Sequence, residues 1–421
     1  MPAPLNTELI YPLHWFKSFG VELEYMIVDR ASLDVKPLAD KALSIVAGEP
    51  SNEADLGDIA WSNELVAHVL EMKTNGPAPS LNGLAKRFQE SIRRAEDILA
   101  PFNAGLLPTA MHPWMDPQTE TYIWPHGQNE VYLAYDRIFG CRGHGWSNLQ
   151  SAHLNLPFAT EEEFVRLHAA IRLVLPLIPV LAASSPIIEG KFTGLLDSRL
   201  EVYRTNQAKI PSITGMVVPE AVQSIAEYHD NILARIYRDI APFDPEGILQ
   251  GEWLNSRGAI ARFSRGAIEI RVIDVQESPT VDIAIAAAII SAVKALAEER
   301  YTPLWRLHQI STERLSKLLW DAVKWGGGVL VNDVDILGAW GLNQSQVVTL
   351  NALWRRIIAE NLPSDGSSPQ EWLRILELIL DRGCLSERII RACGRSLTRA
   401  RLREVYSALK ECLVNNQVFD I

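Results

Sequence analysis

The sequence predicts an α+β protein built on a mostly antiparallel sheet, and three observations carry that expectation. Strand-like stretches are interrupted by helices at irregular intervals, two of the strands read as a hairpin, and polar residues suited to chemistry fall on the strands. A doubly wound parallel sheet would instead show regular strand–helix–strand units.

The first strand is "FGVELEYMIVD", Phe19 to Asp29. Val21, Leu23, Tyr25 and Ile27 alternate with Glu22, Glu24, Met26 and Val28, which puts the two glutamates on one face about 7 Å apart. Beyond them both faces are apolar, the pattern of a central strand whose front end opens on a site. Unpaired, the two carboxylates would each cost several kcal/mol in desolvation and would repel one another, so something positive is required between them.

"LADKALSIV" follows as a short helix, and "ELVAHVLEMKTNGP" as a strand that carries Glu71 and ends in a Gly-Pro turn. "SLNGLAKRFQESIRRAEDILAPF" places Leu81, Leu84, Phe88, Ile92, Ala95 and Leu99 at helical spacing, with Ser80 as the expected N-cap. From Pro108 to Ser147 the chain is rich in Trp, Pro, Gly and His and reads as a long irregular stretch or lid, too aromatic for disorder. "SNLQSAHLNLPF" alternates again, with Ser151, His153 and Asn155 opposite Ala152, Leu154 and Leu156.

Helices are expected from about Thr160 to Ser184 and from about Pro219 to Ile240, separated by a loop that holds Arg199. "EWLNSRGAIARFSRGAIEIRVIDVQESP" reads as a hairpin turning near Ser264 to Gly266. Arg262 lies on its first strand, and Glu269 and Arg271 share one face of its second. "TVDIAIAAAIISAVKALAEER" is an alanine-rich helix able to pack closely on a sheet. From about Thr302 onward the pattern is helical, apart from a possible strand in "GGVLVND".

Of the 421 residues, 48% are hydrophobic and 22% charged, which indicates a folded globular chain rather than a disordered or fibrous one. A formal charge of -11 argues against a nucleic-acid partner, because phosphate backbones demand clustered Lys and Arg. No basic region followed by an apolar run opens the chain, so no signal peptide is visible and a cytoplasmic location is expected. "LVLPLIPVLAASSPII", Leu173 to Ile188, is shorter than the ~20 residues of a spanning helix and contains three prolines, so no membrane is expected. Cys141, Cys384, Cys393 and Cys412 lack a pairing rhythm and are expected to be reduced. Cys141 and His144 form a lone C-x-x-H without a second pair.

The polar residues on otherwise apolar strands are Glu22, Glu24, Glu71, His153, Asn155, Arg262, Glu269 and Arg271. Carboxylates are hard oxygen ligands suited to Mg²⁺, which combines one or two of them with water and phosphate oxygens. Arginines add nothing to a metal cage but fit phosphate through a forked donor pair. Together they are the equipment of an ATP-using enzyme. The competing accounts are a solvated edge strand for Glu22 and Glu24, a structural ion pair for Glu269 and Arg271, and a satisfied structural histidine for His153. Neither a P-loop nor a dinucleotide fingerprint is present.

"GVELEYMIVD", "VLEMKTNG", "AMHPW", "SAHLNLPF", "SSPIIEGKFTGLLDSR" and "RGAIEIRVIDVQESPTVDIAIAAAI" occur in the order seen in the glutamate-cysteine ligase family of the carboxylate-amine ligase type, which the chain resembles over residues 18 to 300. The resemblance implies a glutamine-synthetase-like fold, a curved antiparallel sheet flanked by helices around a funnel for ATP and Mg²⁺. The resemblance falls within a catalytic domain, residues 1–300, and the helical pattern beyond it is read as a C-terminal region, residues 301–421, packed on that domain. The resemblance implies activation of a carboxylate, typically the γ-carboxylate of glutamate, as an acyl phosphate that an amine such as cysteine attacks. By the same resemblance Glu22, Glu24, Glu71 and Glu269 are the metal ligands, and Arg271 steadies the transferring phosphoryl group. Arg199 anchors substrate carboxylate or phosphate, and His153, Asn155, Arg262 and Arg271 contact the nucleotide.

One departure stands out: where the family strand reads H-V-H, this chain has His153-Leu154-Asn155, and Asn cannot carry charge. Two other functions remain open at this stage, a metal-dependent amidohydrolase and a catalytically silent nucleotide-binding or regulatory protein. A homodimer is compatible with such a ligase.

Overall fold

The computed structural model describes residues 13–127, 129–342, 346–362, 370–394 and 397–420. Among these residues the main sheet has eight strands: β1 (Gly20–Asp29), β2 (Glu53–Asp55), β3 (Ile59–Asn63), β4 (Val69–Thr74), β5 (Ala104–Leu107), β6 (Ser151–Pro157), β9 (Ala259–Arg262) and β10 (Ala267–Asp274). β7 (Ile187–Ile188) and β8 (Lys191–Phe192) form a separate small hairpin. The order across the sheet is β2-β3-β4-β1-β6-β10-β9, every pairing is antiparallel, and β5 continues along β1 past the end of β6. The antiparallel α+β expectation holds.

β1 is central because both of its faces are covered. Val21, Leu23, Tyr25 and Ile27 lie in the main apolar core with the helices Leu84–Leu99, Glu161–Val174 and Pro279–Ala297. On the other face, Met26 and Val28 pack beneath Leu385, Ile389, Leu402 and Tyr406 of the C-terminal helices Leu385–Cys393 and Arg399–Asn415. That cover stops short of Glu22 and Glu24, so the carboxylate end of the strand is left for a site. Leu307, Leu315, Trp354 and Leu376, all beyond residue 300, belong to the same apolar core as Val21 and Ile283. Two helical runs, Glu161–Ala182 and Pro279–Ala297, are long and apolar enough to span a membrane, yet each is 94% buried and the two pack against each other.

Several elements differ from expectation. Ser80 does not cap the amphipathic helix, which begins at Leu84 behind a left-handed Gly83; Ser80 Oγ instead accepts from the Asn82 N–H at 3.0 Å in a local turn. The helix expected from Pro219 starts only at Ile225, capped by Ser224, since the Pro219 carbonyl accepts a bond from buried Arg172 at 2.7 Å. Strands β2, β3 and β5 are only three to five residues long, too short for alternation to reveal. The 108–147 stretch is not irregular throughout, because Asn129–Phe139 is a helix. "GGVLVND" does hold a short strand, Leu330–Val331, paired with Val348–Thr349.

The β6–β10 ladder contains a bulge: β10 advances from Ile270 to Ile273 while β6 moves only from Leu154 to Ala152. The extra residue lies at Arg271–Val272, and the Arg271 N–H is taken by the Gly258 carbonyl at 2.9 Å. Bulges re-aim side chains next to sites. Gly258 permits this approach, since a Cβ there would lie 2.5 Å from Val272 Cγ1. Gly258→Ala is therefore expected to destabilise the protein by about 1–3 kcal/mol through overpacking. A urea melt checks it, and an unchanged midpoint would refute the crowding argument.

Candidate active site

β1 and β6 are paired so that Glu22 faces His153, while β1 and β4 place Glu24 opposite Glu71. The positive group required between the two glutamates is His153. Its Nδ1 lies 2.9 Å from Glu22 Oε2, and its Nε2 lies 3.7 Å from Glu24 Oε1 and 2.8 Å from Ser151 Oγ. Asn155 Nδ2 donates to Glu22 Oε1 at 3.0 Å, and the Ser151 N–H and hydroxyl donate to Glu24 Oε2 at 2.7 and 3.0 Å. Burial alone would raise the Glu22 pKa; the His153 bond and charge, with Arg265 and Asn155, instead hold it at about 2 against an ordinary 4.5. For His153, burial works against the charged form, but the bond to Glu22 and the charges of Glu24 and Glu22 raise its pKa above the ordinary 6.5.

Two further carboxyls are crowded beside this pair. Glu64, in the connection between β3 and β4, is pushed up to about 8 by burial and by Glu24, although it shares a hydrogen bond with Glu71. Glu71 itself is raised well above the ordinary range by burial and by Glu22 and Glu64, and Lys73 Nζ at 3.8 Å offsets little of this. Such a cluster prefers either a proton or a cation.

The arginines answer from the β9–β10 end of the same sheet face. Glu269, only 2% exposed, receives Arg262 Nη1 at 2.7 Å on Oε2 and has Arg271 Nε within ion-pair distance, 3.1 Å, of Oε1. Arg199 is buried, with Nε 2.5 Å from Asp274 Oδ1 and both Nη atoms 3.3–3.4 Å from the Arg271 carbonyl at the bulge. Asp274 is held in turn by the Ser184 N–H at 2.8 Å and the Ser185 hydroxyl at 2.9 Å.

These groups surround a cavity of about 520 Å³. Glu24, Glu64, His153, Arg199, Arg262, Arg265 and Arg271 contribute its charged wall, while Tyr132, Tyr135, Trp146 and Trp253 form an aromatic one. The structure therefore brings the strand-borne candidates onto one surface of the sheet, and Arg199, expected in a loop, reaches the same cavity from the helix Ser198–Thr205. Glu22, Glu71, Asn155 and Glu269 stand behind the lining rather than in it. Glu64, Arg265, Asp274 and the aromatic wall were not among those candidates. Glu64 and Arg265 lie in connections between strands, where no periodicity marks them; of the aromatic wall, Tyr132, Tyr135 and Trp146 fall in the aromatic 108–147 stretch, while Trp253 carried no signal of its own. Cys141 is buried and free, and His144 contacts Glu189 at 3.4 Å. Among the described residues no three His, Cys, Asp or Glu side chains converge as a ready-made metal cage.

The antiparallel sheet holds carboxylates and arginines around one cavity, and its fold is shared with solved structures. The structure of glutamate–cysteine ligase from Francisella tularensis in complex with AMP superposes with a TM-score of 0.58 at 13% identity, over 95% of this chain and 90% of that one. A bifunctional glutathione synthetase from Pasteurella multocida gives 0.56 at 14% identity, over 94% of this chain and 52% of that one. In sequence, residues 18–408 match glutamate-cysteine ligase family 2 (GCS2), and the chain belongs to that family of carboxylate–amine ligases. It is 32% identical over 400 residues to an uncharacterized protein of Archaeoglobus fulgidus, covering 95% of this chain and 99% of the other. A candidate glutamate–cysteine ligase 2-1 of Nocardioides sp. is 26% identical over 292 residues, 67% of this chain and 69% of that one.

The Glu22–His153–Glu24 bridge makes a signed pH prediction for the metal-free protein. The lowered Glu22 pKa contributes stability that is complete above 4.5 and lost as pH falls toward about 2. The raised His153 pKa contributes stability that is complete below 6.5 and lost as pH rises through its folded value. His153→Gln should therefore cost most between pH 4.5 and 6.5, on the order of 3 kcal/mol because a buried charge loses its partner. Melting curves of both proteins across pH 3 to 9 check this, and a pH-independent difference would contradict the bridge.

Proposed function

We propose that this protein is an ATP-dependent ligase that activates the γ-carboxylate of glutamate, or a similar acid, and joins it to an amine such as cysteine. The observation that carries this reading is the mixed charge of the cavity lining, in which Glu24 and Glu64 stand together with Arg262, Arg265 and Arg271. A hydrolase that activates water has no use for so many arginines, whereas phosphoryl transfer needs both signs of charge. Family membership supports the same class, and an AMP-bound ligase of this fold supports a nucleotide in the cavity.

Mg²⁺ suits the donor set in its usual mode, with one or two carboxylates completed by phosphate oxygens and water. Glu24 and Glu64 line the cavity and would hold it, since the burial and neighbouring carboxylate charge that push Glu64 up to about 8 are what a cation relieves. Glu22 and Glu269 have both oxygens engaged, by His153 and Asn155 and by Arg262 and Arg271, and so orient the cavity lining. When bound, the ion neutralises the phosphates.

In the reaction a glutamate γ-oxygen bonds to the terminal phosphorus as ADP leaves. The amine nitrogen then bonds to the acyl carbon as phosphate leaves. Arg271, pointed by the bulge and braced through Arg199 and Asp274, meets the transferring phosphoryl group. Asn155 in place of a second histidine keeps a donor on Glu22 without adding charge beside His153.

Two measurements test this. ADP release should require glutamate or a related acid together with an amine, and release with neither present would identify a different reaction. Arg271→Lys keeps the charge but loses the planar fork, so kcat should fall on the order of 100-fold with KM for ATP little changed. A purely structural pairing with Glu269 would survive that substitution with kcat near wild type.

A further inference from the structure

Four arginines line the cavity, and three are already neutralised. Arg199 is paired with Asp274, Arg262 with Glu269 and Glu252, and Arg271 with Glu269. Among the described residues Arg265 is the one cationic cavity side chain with neither a hydrogen bond nor an ion-pair partner, although its charge is felt by Glu22. We propose that Arg265 takes hold of an oxyanion of the incoming ligand, a nucleotide phosphate or a substrate carboxylate, at the mouth of the cavity.

The backbone beneath it is fixed while the side chain is left free. Arg265 ends the short turn Phe263–Arg265 between β9 and β10, and Gly266 follows at φ 61°, a left-handed position that favours glycine. On one side of Arg265, Phe263 packs in a ring cluster with Phe158, Phe164, Tyr228 and His229 at 5.4–6.1 Å. Ser264 is tied to Glu252 through its hydroxyl and its N–H. On the other side, the Gly266 carbonyl accepts from the Phe158 N–H at 2.9 Å. An exposed arginine on a rigid turn, beside a cavity whose other cations are already neutralised, is arranged to bind an external anion bidentately.

Which ligands arrive rests on the ligase reading, but anion capture is testable without turnover. Thermal stabilisation by tripolyphosphate and, separately, by glutamate is measured at constant Mg²⁺ for the wild type, Arg265→Gln and Arg265→Lys. One of the two anions is expected to stabilise the wild type, and Arg265→Gln should weaken its apparent affinity about tenfold or more. Arg265→Lys should fall between, and without ligand Arg265→Gln should melt only slightly below the other two, since it loses just the pull of its charge on Glu22. Loss with tripolyphosphate assigns a phosphate, and loss with glutamate assigns a carboxylate. The proposal is overturned if Arg265→Gln responds to both anions like the wild type, or if neither anion stabilises the wild type. If the wild type releases no ADP with any acid and amine while the Arg265 effect persists, the ligase reading fails and this assignment stands.

Discussion

Everything on the active face depends on the imidazole held between two buried carboxylates. Glu22 and Glu24 share one side of a central strand, and their burial is tolerable only because His153 lies 2.9 Å from one and 3.7 Å from the other. Ser151 and Asn155, two residues to either side of His153 on the same strand face, satisfy the oxygens that the ring does not reach. The pairing of β1 with β6 thus supplies a counter-ion and its supporting donors together, and it leaves Glu24 positioned at the cavity wall.

A second balance holds the arginines. Glu269 lies between Arg262 and Arg271, and Asp274 anchors Arg199, whose guanidinium reaches the backbone of Arg271. These arginines keep defined positions because their counter-charges are buried with them. The bulge at Arg271 and the small Gly258 behind it let β10 turn that side chain without breaking the ladder on either side. Preorganised charge of this kind is what phosphoryl transfer requires, since there is little covalent work for the protein to do. The excess of carboxylate around Glu64 and Glu71, both raised above the ordinary range by burial and by neighbouring carboxylates, is the complementary feature.

Much of this was legible in the sequence. The alternation in "GVELEYMIVD" located a central strand with two carboxylates on one face, and the same reading applied to "SAHLNLPF" and "AIEIRVID" found the partners that the sheet brings beside it. Period-2 patterns report which residues share a face, and here that sufficed to name eight polar residues that do meet. The requirement for a positive group between Glu22 and Glu24 also followed from the sequence by desolvation alone. Its identity did not, because the side chain that meets it belongs to a strand well over a hundred residues away.

What the sequence determined by itself was local: strand faces, the long amphipathic and alanine-rich helices, the hairpin near Ser264, and the residue types able to bind phosphate and metal. Only the tertiary structure decided which charges neutralise which. The β1–β6–β10 register put His153 on Glu22, the bulge set Arg271, and the connections brought Glu64 and Arg265 to the cavity. Turn residues carry no periodic signal, and short strands such as β2, β3 and β5 carry too little of one. The physical reason is that alternation and helical spacing report a chain's neighbours in sequence, whereas electrostatic partners are neighbours in space.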